Sequence, residues 1–251
     1  MIKNKTIAVW FSCGAASAVA AKKTIELYGK DNTIRIINNP IKEEHEDNQR
    51  FLIDVEKWLG LPVEHAINNK YPDCSCQTVW EKRRYMAGPM GAPCTVALKK
   101  EARLQWEQRN PCDYLVLGFT AEEQVRADRF RKGERDNLIA VLVDEKITKE
   151  ECYKIIKKAG IKLPEIYFLG YPNANCIGCV KASSATYWNH VRKVHPAVFK
   201  ERADLSRELG AHLVYYKGKR IFLDELPLKA KGRSMKTMQV ECGIFCTEEW
   251  K

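Results

Sequence analysis

The sequence has no long apolar run. None approaches the ~20 residues that a bilayer-crossing helix needs, which excludes a helical membrane span. The N-terminus, MIKNKTIAVWF, enters a strand-like segment without a signal-peptide cleavage pattern, so a soluble, cytoplasmic protein is expected. No internal repeat is present, which excludes a solenoid. The five histidines, His45, His65, His190, His195 and His212, show no metal-ligand spacing. Acidic residues are in deficit: 32 Asp and Glu stand against 42 Lys and Arg, a net charge of +10. Such a field draws in polyanions. Nucleic acid and phosphate-bearing small molecules fit it equally well, and a solvated basic surface is the plainer alternative.

At 251 residues and 45% apolar content, the chain can bury a full core. Its first half alternates between strand and helix patterns. TIAVWF (6–11), TIRIIN (33–38), PVEHAI (62–67), DYLVLGF (113–119) and LIAVLV (138–143) read as strands. Helices are expected over 15–27, 47–59, 77–86, 95–109, from Ala121, and from Thr148 to a stop at Gly160. TKEE (148–151) is a capping box. Alternation of this kind implies βαβ units, hence an α/β fold with a mostly parallel, Rossmann-like sheet flanked by helices. The pattern breaks after Leu163. A Pro/Gly/Asn-rich loop, helices at about 183–193 and 196–209, and a hairpin across Lys217-Gly218 follow. The basic segment 228–238 is expected to be mobile without a ligand. A nucleotide-binding domain over 1–163 and a cysteine-bearing extension over 164–251 are therefore expected.

The first strand ends in WFSCGAAS (10–17). Small residues where a helix begins leave backbone N–H groups free to point at an anion. Gly14 would permit the close turn, and Ser12 and Ser17 could add hydroxyl donors. The stretch is not a Walker loop, lacking Gly-Lys-Ser/Thr, and it lacks two glycines of the dinucleotide fingerprint. An ordinary strand-to-helix turn is the alternative. SCGAAS resembles the SGGxDS pyrophosphate loop of the N-type ATP pyrophosphatases and, more closely, its altered form in the phosphoadenylyl-sulfate (PAPS) reductase family. Cys13 stands where that loop has glycine and Ala16 where it has aspartate. The resemblance therefore implies phosphate binding through Ser12, Cys13, Gly14, Ala15, Ala16 and Ser17 more directly than ATP cleavage. GFTAEEQVRADRF (118–130) resembles the family's segment after the fourth strand, which implies that Gly118, Glu123 and Arg129 face the nucleotide and that Arg126 is a catalytic cation there. Two arginines three apart could clamp an anion, although a solvated helix with internal ion pairs is the alternative. EEHEDNQRF (43–51) is a looser match to a nucleotide-reading segment.

Ten cysteines in a chain expected to be cytosolic read as ligands or reactive thiols rather than disulfides. Cys112 and Cys152 sit among apolar residues and read as small buried hydrophobes. GAPCTVALKK places Lys99 five residues after Cys94, and NCIGCVKA places Cys176 and Cys179 on a CxxC turn that lets both sulfurs face one way. Both stretches resemble the segments that hold a [4Fe–4S] cluster in adenylyl-sulfate (APS) reductases. That resemblance implies Cys94, Cys176 and Cys179 as ligands and Lys99 as a neighbouring catalytic cation. A fourth ligand could come from Cys242 or Cys246, or the fourth iron could stay open for substrate or sulfide. Zinc is the structural competitor. VECGIF resembles the reductases' C-terminal ECGIH, whose cysteine attacks sulfur; Cys242 matches it, and Phe245 replaces histidine. Cys74 and Cys76 match nothing in the family and read as loop thiols. Tyr187, Trp188 and Arg192 recur at helical spacing and read as a packing face.

The resemblance implies an adenine nucleotide (PAPS, APS or ATP), an iron–sulfur cluster, and sulfur chemistry. Reduction of an adenylated sulfate by Cys242, with a thiol electron donor, is the first expectation. ATP-dependent thiolation of a nucleic acid or other acceptor is the second. A non-catalytic nucleotide-binding module with a structural metal is the third.

Overall fold

The computed structural model describes residues 2–88 and 91–235. The chain forms two units. The first takes the chain up to Pro40, Glu46–Ile67 and Arg103–Phe168; the second takes Ile41–His45, Asn68–Ala102 and the described residues from Leu169 onward. This division does not follow the boundary expected after residue 163. Segments 41–45 and 68–102, placed by sequence order with the first half, pack with the later part of the chain.

The first unit is the expected α/β fold. Strands β1 (Thr6–Trp10), β2 (Thr33–Asn38), β3 (Val63–His65), β4 (Tyr114–Val116) and β5 (Leu138–Ile139) form one sheet of order β3-β2-β1-β4-β5. Every pairing is parallel, with Val9 opposite Ile36 on one side and Val116 on the other. Central strand residues Ile7, Val9 and Ile36 are fully buried, as parallel strands covered on both faces require. The Ala15–Tyr28 helix follows β1 and buries Ala18, Val19, Ala20 and Ala21 in the core shared with Phe51, Val55, Leu142 and Ile156. Small side chains along that face allow close approach to the sheet. At the sheet's rim, Arg35 forks onto the Glu64 carboxylate, 2.7 Å from Nε, and lies 4.7 Å from the Trp106 ring centre.

Several elements depart from expectation. LIAVLV is a strand only through Ile139 and then turns into the short helix Val141–Asp144. A short apolar run does not separate strand from buried helix; here β5 has only β4 as a neighbour, and Val141 and Leu142 remain in the core after the ladder ends. The loop after Leu163 holds a helical turn, Glu165–Phe168, whose Glu165 N–H donates to Asp47. The TKEE box forms as expected: Glu151 N–H donates to Thr148 Oγ1 and Thr148 N–H to the Glu151 carboxylate.

The second unit contains the Cys76–Arg83 helix, a short turn Pro93–Thr95 running into a π-helical segment Val96–Glu101, the helices Ala185–Val194 and Pro196–Glu208, and the hairpin of β6 (Val214–Tyr216) and β7 (Lys219–Ile221). The hairpin turns through Lys217 and Gly218, both at positive φ, as a type I′ turn requires. Trp188, fully buried, donates to Ala182 O at 2.6 Å. The described part of the basic segment is tied down, against expectation. Thr186 donates to Gly232 O, Ser184 to Arg233 O, and Asn189 to Pro227 and Ala230. Backbone groups that the sequence leaves without a ladder are here satisfied by one helix's polar side chains.

Candidate functional site

The order β3-β2-β1-β4-β5 reverses direction between β1 and β4, and in open α/β sheets ligands bind beyond the carboxyl ends of the strands at such a switch point. Ser12–Ser17 follow β1 and Gly118 follows β4, so both sequence-derived loops fall there. Ser12 N–H donates to Ser17 Oγ (3.1 Å), the two hydroxyls are 3.2 Å apart, and Ser17 Oγ donates to Gly14 O. Ala15, Ala16 and Ser17 form the first turn of the helix, where N–H groups lack intrahelical acceptors.

The turn is made differently from the expectation. Gly14 is extended, with φ −105°, and Cys13 carries the left-handed conformation at φ 53°. The Cys13 side chain is buried, 3.5 Å from Asn38 Nδ2, so it faces the core and offers the cradle only its backbone. Gly14 matters for another reason: a Cβ there would stand 3.3 Å from the Tyr167 hydroxyl, which also accepts from Ala15 N–H. Sequence gave no sign of Tyr167, which arrives from 152 residues away. Gly118 is required by contact: a Cβ there would lie 2.8 Å from Ser17 N and 2.9 Å from Ser17 Cα.

Glu123 and Arg126 are engaged locally. The Glu123 carboxylate accepts from Thr120 N–H in a second capping box and pairs with Arg126 at 2.6 Å, while Arg126 lies over Phe119. Arg129 is exposed on the Gln124–Gly133 helix. This arrangement is the ion-paired helix named above as the alternative to an anion clamp.

In the second unit, Cys76, Cys94, Cys176 and Cys179 line one cavity with Trp80, Lys99 and Lys181. Cys76 opens the Cys76–Arg83 helix; it is no loop thiol, and its side chain shares the cavity with Cys94 and Cys176. The neighbouring Cys176 and Cys94 thiols, with burial, hold the Cys76 thiol well above its ordinary pKa. Cys94 is held below its ordinary value, chiefly by the bond from Cys76, with the Lys99 charge acting in the same direction. Lys99, on the π-helical segment, is buried and stands 4.0 Å from the Glu44 carboxylate.

Local chemistry explains the convergence. Gly178, at φ 65°, makes the Cys176–Cys179 turn, and Cys179 N–H donates to Tyr187 OH at 2.8 Å. Glu43 joins two of the cysteine segments: its carboxylate accepts from Cys76 N–H (2.7 Å), Gln77 N–H (3.1 Å) and Ser75 Oγ (2.7 Å), and its carbonyl accepts from Ile177 N–H. Neither role shows in the sequence of EEHEDNQRF. Ser75 as an N-cap was the available signal for Cys76, since a cap at 75 makes the next residue helical. Glu43→Ala is expected to lower stability by ~1–3 kcal/mol, the range for stranding hydrogen-bonded groups; urea unfolding measures it, and an unchanged midpoint contradicts the linking role.

Cys152, fully buried, has its thiol pushed up to about 12, and burial likewise raises half-buried Cys112 to about 11, as inert structural thiols behave. Beside the cysteine cavity the rings of His190 and His195 stand 4.7 and 5.8 Å from that of Tyr171. Cys242 and Cys246 lie outside the described residues. Four soft sulfur donors on one cavity suit iron–sulfur or zinc chemistry and not a hard cation. Among the described residues, no three Cys, His, Asp or Glu side chains stand ready-made at metal-holding spacing.

No protein-family model matches the chain, and no curated protein matches it. Among solved structures it is similar to the U34-tRNA thiolase NcsA from Methanococcus maripaludis with its [4Fe–4S] cluster. The two are 14% identical over 97% of this chain and 80% of that one, with a TM-score of 0.46. That degree of likeness assigns no substrate or chemistry to this chain. Among the described residues, no helix is long and apolar enough to cross a membrane.

Proposed function

We propose that the chain is a nucleotide-dependent enzyme of sulfur transfer, of the kind its motifs resemble in the PAPS reductase and N-type ATP pyrophosphatase group. The observation that carries this reading is the meeting of Cys94, Cys176 and Cys179 around one cavity with Lys99, from stretches about eighty residues apart. In the reading, an oxygen of the acceptor attacks the ATP α-phosphorus and releases pyrophosphate, and sulfide from an external donor then displaces that oxygen, which leaves with AMP. The N–H groups of Ala16 and Ser17 bind phosphate oxygens, and the Ser12 and Ser17 hydroxyls turn from one another to the ligand. Gly118 leaves the backbone room for that approach. Cys94, Cys176 and Cys179 would hold an iron–sulfur cluster, which supplies the site's sulfur chemistry when bound. Lys99 balances thiolate charge and favours the Cys94 thiolate. The acceptor class is nucleic acid, supported by the +10 charge.

Reduction of an adenylated sulfate is the second reading, favoured by the match of Cys242 to the reductase nucleophile. One experiment separates them. Anaerobically purified protein is given ATP, RNA and inorganic sulfide, or PAPS or APS with a thiol reductant. Thiolated nucleosides with RNA-dependent pyrophosphate release support transfer. Sulfite release that Cys242→Ser abolishes, without thiolation, overturns it. Turnover of neither substrate leaves the non-catalytic module.

A further inference from the structure

We propose that Cys76 is the fourth thiolate of the metal centre, closing it with ligands from the described chain alone. The inference rests on the cluster reading above and deepens it. Three observations lead to it. First, Cys76 lines the same cavity as Cys94, Cys176 and Cys179, all four within the second unit. A thiol serving only as a small hydrophobe has no reason to meet two other thiols.

Second, its place is built. Glu43 grips the backbone of Cys76 and of Ile177, which lies inside the CxxC turn, so one residue sets the separation of the two segments. Ser75 caps the same helix, accepting from Thr78 N–H. Third, Cys74, the second unit's other described thiol, is directed elsewhere, its Sγ pointing to Pro72 O at 3.7 Å.

A cysteine holds a metal ion as the thiolate, so any of the four that carries a proton would release it on binding. Cys242 and Cys246 are then not needed as ligands.

The test uses the full chain, purified and reconstituted anaerobically, as wild type and as the Ser variants of Cys76, Cys94, Cys176, Cys179 and, for control, Cys74. Iron, acid-labile sulfide and zinc are assayed, with electron paramagnetic resonance of oxidised samples. Cys76→Ser is expected to behave like Cys94→Ser: iron falls from about four to about three per chain with a three-iron signal. In a zinc-loaded protein, zinc binding instead weakens by roughly 100-fold or more. Cys74→Ser should match wild type. If Cys76→Ser keeps wild-type metal content and spectrum while the other three variants lose theirs, Cys76 is not a ligand and the cluster reading stands. If wild type takes up neither iron nor zinc, both fail. Should Cys76→Ser not fold, cadmium–proton correlation spectra of cadmium-substituted wild type decide: four ligating cysteines including Cys76 support the proposal, and a set without Cys76 overturns it.

Discussion

Gly118→Val is expected to abolish measurable ATP binding while leaving a folded but weakened protein. The glycine follows β4 and abuts the first turn of the Ala15–Tyr28 helix, where a Cβ would meet Ser17 N at 2.8 Å, Ser17 Cα at 2.9 Å and Ala16 C at 3.1 Å. All three atoms are backbone, so no side chain can swing aside. Either β4's exit or the helix start must shift, and the helix start carries the proposed phosphate contacts. Overpacking of this kind costs about 1–3 kcal/mol of stability. The effect on binding should be larger, because displacing two N–H donors by a few tenths of an ångström weakens both bonds at once. Calorimetric titration with ATP, beside urea unfolding, measures the two effects. Wild-type affinity in a destabilised variant would place the nucleotide elsewhere.

Gly178→Val should remove the metal centre more completely than any single change outside the cysteines. At φ 65° a β-branched residue is a backbone outlier. Its Cβ would also stand 3.1 Å from Val198 Cγ1 and 3.3 Å from Arg202 Cγ. Arg202 cannot easily give way, being buried with its guanidinium 4.7 Å from the Trp80 ring centre. Strain and crowding together should cost about 2–4 kcal/mol. The turn between Cys176 and Cys179 then reopens, and the two sulfurs no longer face one cavity. Metal analysis should show iron and zinc near zero, with far-UV circular dichroism close to wild type. Full metal content in this variant would mean that the CxxC turn does not hold the centre.

Much of the first unit was legible because parallel, doubly covered strands leave continuous apolar runs and their crossover helices leave caps. TIAVWF, TIRIIN and the TKEE box all carried that information. The strand lengths did not, since LIAVLV turns helical where β5 runs out of neighbours. In the site, the CxxC turn and Gly118 were visible as local chemistry. Cys76 was hidden because its partners lie 18 and 100 residues away, and its only local signal was the capping serine before it. Tyr167, Glu43 and the π-helical turn under Lys99 were invisible for the same reason: each matters through a contact that tertiary packing alone creates. The tie between Gly232, Arg233 and the Ala185–Val194 helix likewise depends on hydroxyl and amide side chains that look like ordinary surface residues in sequence.

The most direct measurement is the metal and sulfide content of wild-type protein purified without oxygen. The account predicts a brown protein, absorbing near ~400 nm, with about four iron and four labile sulfide per chain. Colourless protein that stays free of iron after reconstitution with ferrous iron and sulfide would contradict it.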